Sequence, residues 1–232
     1  MTILEEIENL EQESIIAAIS EYKKLTREHF FKKYGFKVER LKTPELPLLL
    51  ASKIISKSAK TILIYLQFDG QPVDKSKWNQ ENPYQAELKM YDDGEYKSID
   101  WSVLKTISTK NINDSDIRIF ARSTSDAKGP VMMLLNALKI MKENDFKLKY
   151  NLKVIMDFEE ELGSPNLTNA VSEYSDKLKS DALLIYDGPQ HPSNLPTLEF
   201  GARGISQITL TTYGPIVPQH SGHFGNYAPN PI

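Results

Sequence analysis

Three apolar runs in this sequence end in carboxylates. Asp69 follows TILIYLQF (61–68), Glu159, Glu160 and Glu161 follow VIMDF (154–158), and Asp187 follows DALLIY (181–186). A fourth acidic position, Asp126, lies between the run RIFAR (118–122) and a helix-like stretch opened by Gly129-Pro130. In an open α/β sheet the carboxyl ends of the strands share one edge, and ligands bind in the crevice outside it. Four acidic positions distant in sequence would meet there in one anionic pocket. Packed carboxylates repel one another unless something positive holds them, and a divalent metal does so most directly. Each of these residues taken alone also suits a helix cap or an ordinary turn. Their number does not choose between metal-assisted hydrolysis and a magnesium–phosphate site, although neither GxxxxGK[ST] nor GxGxxG occurs in the chain.

The elements that must position these residues follow from hydrophobic periodicity. Residues 61–69, 150–158 and 181–187 are continuous apolar, β-branched runs and read as buried strands. Between them, VMMLLNALKIMKEN (131–144) reads as a helix with Pro130 in its first turn, and its Met132, Leu135 and Leu138 should face the sheet. Strands alternating with helices predict an α/β domain with a mostly parallel central sheet flanked by helices. Residues 3–35 carry a helical apolar stripe that Gly35 would stop, and 44–60 reads as a proline-marked turn followed by a second amphipathic helix. Residues 70–117 read as long loops with short strands, and Ser164-Pro165 as the cap of a further helix. ISQITLTTY (205–213) alternates with period two, as a half-exposed strand of an antiparallel sheet would. The expected division is therefore 1–204 for the first domain and 205–232 for the beginning of a second, which has no room to finish by Ile232.

Composition narrows the classes. The chain has 232 residues, no cysteine, 40% hydrophobic and 25% charged residues, and a net charge of −3. That excludes a disulfide scaffold, a cysteine-ligated metal site and a thiol nucleophile. A slightly acidic chain argues against a broad nucleic-acid surface. No apolar run approaches the ~18–20 residues of a membrane helix. The acidic N-terminus, MTILEEIENLEQ, is unlike a secretory signal, so the expected compartment is the cytoplasm.

Five segments, in order, carry a resemblance. YLQFDGQPV (65–73) is similar to a YGHYDVQPV segment, and Arg122-Ser-Thr-Ser-Asp126-Ala-Lys-Gly129-Pro to RGxSDDKGP. Asp157-Phe-Glu-Glu160-Glu161-Leu-Gly-Ser164 is similar to EGxEExGS, and Asp187 matches a strand-ending aspartate that follows it. FGARG (200–204) and HSG (220–222), followed by Asn230-Pro231, resemble the opening of a second domain. Together they resemble the dinuclear-zinc metallopeptidases that include carnosinase-like dipeptidases, glutamate carboxypeptidases and acetylornithine deacetylases.

The resemblance implies a role for each matching residue. Asp126 would bridge two zinc ions, with Glu161 binding one and Asp187 the other. Glu160 would be the general base toward water, and Asp69 would orient the ligand two residues before it. Adjacent glutamates can serve one pocket only on an irregular backbone, because neighbours in a regular strand face opposite ways. His220 would reach the active site of a neighbouring subunit, implying a homodimer in the full-length form with an α+β dimerisation or lid domain. Gln67 stands where the family has its first metal histidine, and Ala127 and Phe158 replace an aspartate and a glycine. Glutamine can offer a carbonyl oxygen, whereas imidazole suits zinc better. The implied substrates are peptides or N-acyl amino acids. With Gln67 present and the C-terminal histidine that the resemblance pairs with Glu161 not reached by Ile232, the 232-residue chain is expected to hydrolyse weakly or not at all. The alternatives are a degenerate member that binds peptide or metal without turnover, and an interaction module.

Overall fold

The run Thr61–Gln67 forms β3, flanked on both sides in a five-stranded sheet because its side chains are apolar on both faces. The computed structural model describes residues 27–105, 116–188, 191, 193, 195 and 197–228. The other strands of the sheet are β1 (Lys37–Leu41), β2 (Leu48–Lys53), β7 (Asn151–Asp157) and β8 (Ala182–Ile185), in the order β1-β2-β7-β3-β8. β7, β3 and β8 run parallel, while β1 and β2 add antiparallel at the β7 side. The α/β expectation therefore holds, and the parallel half is the half that carries the acidic strand ends. A second sheet joins β4 (Glu87–Asp92), β5 (Glu95–Ser98) and β6 (Ile117–Phe120) in the order β5-β4-β6, within the stretch expected as loops and short strands.

Helices cover both faces of the larger sheet. On one face α1 (Arg27–Lys33) and α2 (Gly129–Glu143) pack Phe30, Phe31, Val131, Leu134, Leu135 and Leu138 against Ile64, Leu66, Val154 and Met156. Met132 is partly buried in the same cluster, and Leu135 and Leu138 are fully buried, as the helical stripe requires. On the other face α3 (Leu167–Glu173) and α4 (Ser175–Leu178) bring Ala170 and Leu178 onto Leu48, Leu50, Leu63 and Ile155. Of the helix expected over 3–35, residues up to 26 lie outside the described residues; its end is α1, and Gly35 follows at φ +80°.

Four expectations are corrected. Residues 48–53 form the strand β2 rather than an amphipathic helix, because pairing on both sides with β1 and β7 satisfies a backbone whose Leu48, Leu49, Leu50 and Ala51 are all buried. Residues 201–215 form no strand; a two-residue period makes a strand only where a neighbour pairs with it, and among the described residues none does. β8 is apolar but exposed at all four positions, with Ile185 at 58%, because it is the edge strand and no described element covers it. Ser164 makes no cap on α3, which starts after Asn166, and its side chain turns back to β7 instead.

The chain separates into two compact units, residues 1–188 and 189–232. In the second, the described residues are almost all exposed, and α5 (Ser221–Phe224) is a single turn whose N-cap is His220, with its Nδ1 accepting from the Gly222 N–H at 3.1 Å.

Candidate metal centre

Parallel pairing of β7, β3 and β8 puts their carboxyl ends at one edge, with Gln67 in register with Asp157 and Tyr65 with Ile185. Beyond those ends the chain departs from strand geometry, and each departure sets a candidate side chain. After β7, residues Glu160–Leu162 form one 3-10 turn that closes at Gly163, whose φ of +82° suits glycine. Successive residues in such a turn are rotated by about 120°, so Glu160 and Glu161 escape the opposite-face rule of a strand. The irregular backbone expected at this glutamate pair is present.

The turn is held from below by Asp157, a carboxylate only 2% exposed. It accepts from the Glu159 backbone N–H at 3.0 Å, the Ser164 hydroxyl at 2.8 Å and the Tyr65 hydroxyl at 3.0 Å. Burial pushes the Tyr65 phenol up, so it stays a donor at any physiological pH. From β3, Asp69 reaches across and accepts from the Glu161 N–H at 3.0 Å. Its bond is thus to the backbone that carries Glu161. Glu159 is buried as well and accepts from the Asn166 amide at 2.9 Å, so the first glutamate of the triplet is committed to structure.

Asp126 arrives by a different route. The segment Thr124–Lys128 is an irregular turn leading into α2, preceded by Ser123 at φ +64°, and the Asp126–Ala127 peptide is cis. Gly70 lets the loop after β3 lie against this turn, since a Cβ there would overlap the Ser123 hydroxyl. Asp126 is exposed and accepts from the Gln67 amide N–H at 2.9 Å. Glu161 likewise accepts from the Gln71 amide at 2.5 Å, and Asp187, exposed after β8, accepts from the Gly188 N–H at 2.6 Å. Gln71 belongs to the YLQFDGQPV segment, but a bond to a carboxylate ninety residues away has no signature in sequence.

The five carboxylates share one field. Glu160 is held above the usual glutamate range, first by burial and then by Asp187, Glu161, Asp126 and Asp69. Three carboxylates distant in sequence, Asp187, Asp126 and Asp69, thus lie near enough to Glu160 to act on it. Among the described residues, no three His, Cys, Asp or Glu side chains are gathered tightly enough to grip an ion. Asp126 and Glu161 are tied to glutamine amides instead. The donor chemistry nevertheless fits a divalent cation. Two buried acceptors at this edge, Gln67 Oε1 and Asp69 Oδ1, have no hydrogen-bond partner, and a cation or a water would satisfy such an acceptor.

Comparison with known proteins decides the family. The profile described as peptidase family M20/M25/M40 matches residues 97–217, just over half of the chain. The chain belongs to this family. It is similar to the Cys-Gly metallodipeptidase dug1 of Schizosaccharomyces pombe, 26% identical over 217 residues, which is 92% of this chain and 40% of that protein. It is also similar to the human Beta-Ala-His dipeptidase, 25% identical over 191 residues, covering 82% of this chain and 34% of the relative. Among solved structures, the M20 family metallo-carboxypeptidase Sso-CP2 of Sulfolobus solfataricus superposes with a TM-score of 0.52 at 28% identity, over 72% of this chain and 32% of that one. The chain thus spans 32–40% of the length of these relatives. No helix among the described residues is long and apolar enough to cross a membrane.

Proposed function

We propose that this chain is the N-terminal part of a metal-dependent hydrolase that cleaves dipeptides or related amides, with residues 1–204 belonging to the catalytic domain and 205–232 to the start of a dimerisation or lid domain. The observation that carries the reading is the meeting of acidic segments at the carboxyl end of the parallel strands, where Gln67 donates to Asp126 and Asp69 accepts from the Glu161 N–H. The metallodipeptidase and metallo-carboxypeptidase relatives support the choice of hydrolysis over a phosphate site. A divalent ion bound here would polarise the scissile carbonyl and acidify water.

The chain's own residues divide the work. Asp126, Glu161 and Asp187 would hold the cations, zinc being the ion the family resemblance suggests. Glu160 accepts the proton of the attacking water and returns it to the leaving amine. Asp69 fixes the backbone of Glu161 through the bond already described. His220 contributes to substrate binding in the dimer, whose compartment would be the cytoplasm.

The test is a pair of substitutions in a full-length form. Glu160→Gln keeps the volume and removes the base, so turnover should fall by roughly 10²–10⁴-fold with metal content little changed. Glu161→Gln should lower metal content first and activity as a consequence. Metal content is read by elemental analysis beside the rate of dipeptide cleavage. If Glu160→Gln turns over normally, the base assignment is wrong. If it loses metal while Glu161→Gln keeps it, the two glutamates exchange roles. A full-length form that binds metal but cleaves no peptide or acyl amino acid would favour the degenerate, binding-only reading, which Gln67 motivates.

A further inference from the structure

Gln67 ends β3 at the centre of the parallel half of the sheet and is 3% exposed. Its amide nitrogen lies 2.9 Å from Asp126 Oδ1, while its amide oxygen is buried without a partner. A buried carbonyl oxygen left unmet is costly, and here it belongs to the same amide that already touches a proposed ion ligand. We propose that Gln67 ligates a cation through this oxygen, so that the ion position it shares with Asp126 and Asp187 is built of oxygen alone and is tuned to manganese or magnesium rather than to zinc. This rests on the metal-dependent reading above and adds to it the class of ion and the residue that selects it.

The amide offers this oxygen as it stands. Its nitrogen is already engaged with Asp126 Oδ1 at 2.9 Å, which leaves the oxygen to face a cation. A second buried acceptor at this edge, Asp69 Oδ1, likewise has no partner. Asp187 comes to the same edge because β8 is the parallel neighbour of β3. Hard oxygen donors suit magnesium and manganese, whereas an imidazole in place of the amide would raise affinity for zinc selectively. The same amide donates to Asp126 and keeps that carboxylate in place.

Zinc binds most sites more tightly than manganese does, so the discriminating quantity is the ratio of the two affinities. Manganese binding to the 232-residue chain is followed by loss of the electron paramagnetic resonance signal of the free ion, and zinc binding by competition against it. Gln67→His should raise the zinc-to-manganese affinity ratio by about 10–100-fold, and Gln67→Leu should weaken manganese binding by about tenfold or more. Thermal melting of the metal-free variants runs alongside; if Gln67→Leu does not fold, Gln67→His decides alone. An unmoved ratio in Gln67→His, or a folded Gln67→Leu that holds manganese as the parent does, overturns the inference while leaving the metal-dependent reading standing. Failure of the parent chain to bind either ion removes both.

Discussion

At the scale of single residues, the side chain that shapes the site most is one that makes no proposed contact with substrate. Asp157 meets three donors, one from β3 and one from each end of the turn carrying Glu160 and Glu161. Asp157→Ala leaves those donors facing a buried gap, and stability should drop by about 1–3 kcal/mol. Asp157→Asn, which retains an oxygen acceptor, should lose less, and urea unfolding of the two variants measures the difference. Equal losses would mean that the acceptor is immaterial. The acidic strand ends themselves were legible because a carboxylate directly after an apolar run stands out. The support for them was not. Ser164 reads as a helix cap from its neighbour Pro165, and only the fold reveals that its hydroxyl donates backwards to Asp157. The orphan oxygen of Gln67 was equally hidden: sequence shows a glutamine in place of a histidine, while its burial and its bond to Asp126 come from the fold.

At the scale of elements, the runs that could be read were those whose own residues decide the outcome. β3, β7 and α2 carry seven to fifteen residues of consistent pattern, and each forms where expected. β2 was misread because LPLLLASKIISK satisfies a helical stripe and an apolar strand alike, and the choice lies with the strands on either side. Likewise, the exposure of β8 depends on what stands beside it. Its docking to β3 begins at Asp181, which accepts from the Lys60 ammonium at 2.7 Å and from the Thr61 backbone N–H at 2.8 Å. Those donors hold the Asp181 carboxyl below its usual range, with the Lys60 bond the larger cause. A depressed carboxylate stabilises the fold above its unfolded-state value, about 3.9, and loses that contribution as the pH falls through the folded-state value. Asp181→Ala should therefore unfold at lower urea than the parent near neutral pH, with the gap closing in acid below about pH 3.9 and narrowing in high salt, because the pair is exposed. A gap that persists undiminished in acid would assign it to packing at the β3–β8 start rather than to charge.

At the scale of the whole molecule, the division into units separates the proposed chemistry unevenly. Gln67, Asp69, Asp126, Glu160, Glu161 and Asp187 all fall in residues 1–188, and His220 alone falls in the second unit. The first unit has its own two-faced core, built from both sides of the larger sheet. In the second, Phe200, Tyr213 and Tyr227 are each at least 87% exposed, and exposed aromatic side chains on chain without regular structure are natural sites for chymotrypsin. Brief digestion should cut there first and leave a fragment containing residues 1–188. If the ion ligands are those of the first unit, that fragment keeps its circular dichroism spectrum and the manganese affinity of the intact chain. The proposed role of His220 is tested separately: in the full-length dimer, His220→Ala should weaken dipeptide binding while leaving the metal content unchanged. Loss of manganese affinity on cleavage, with the dichroism unchanged, would place a ligand in residues 201–232 and overturn the assignment of the ion site to the sheet edge alone.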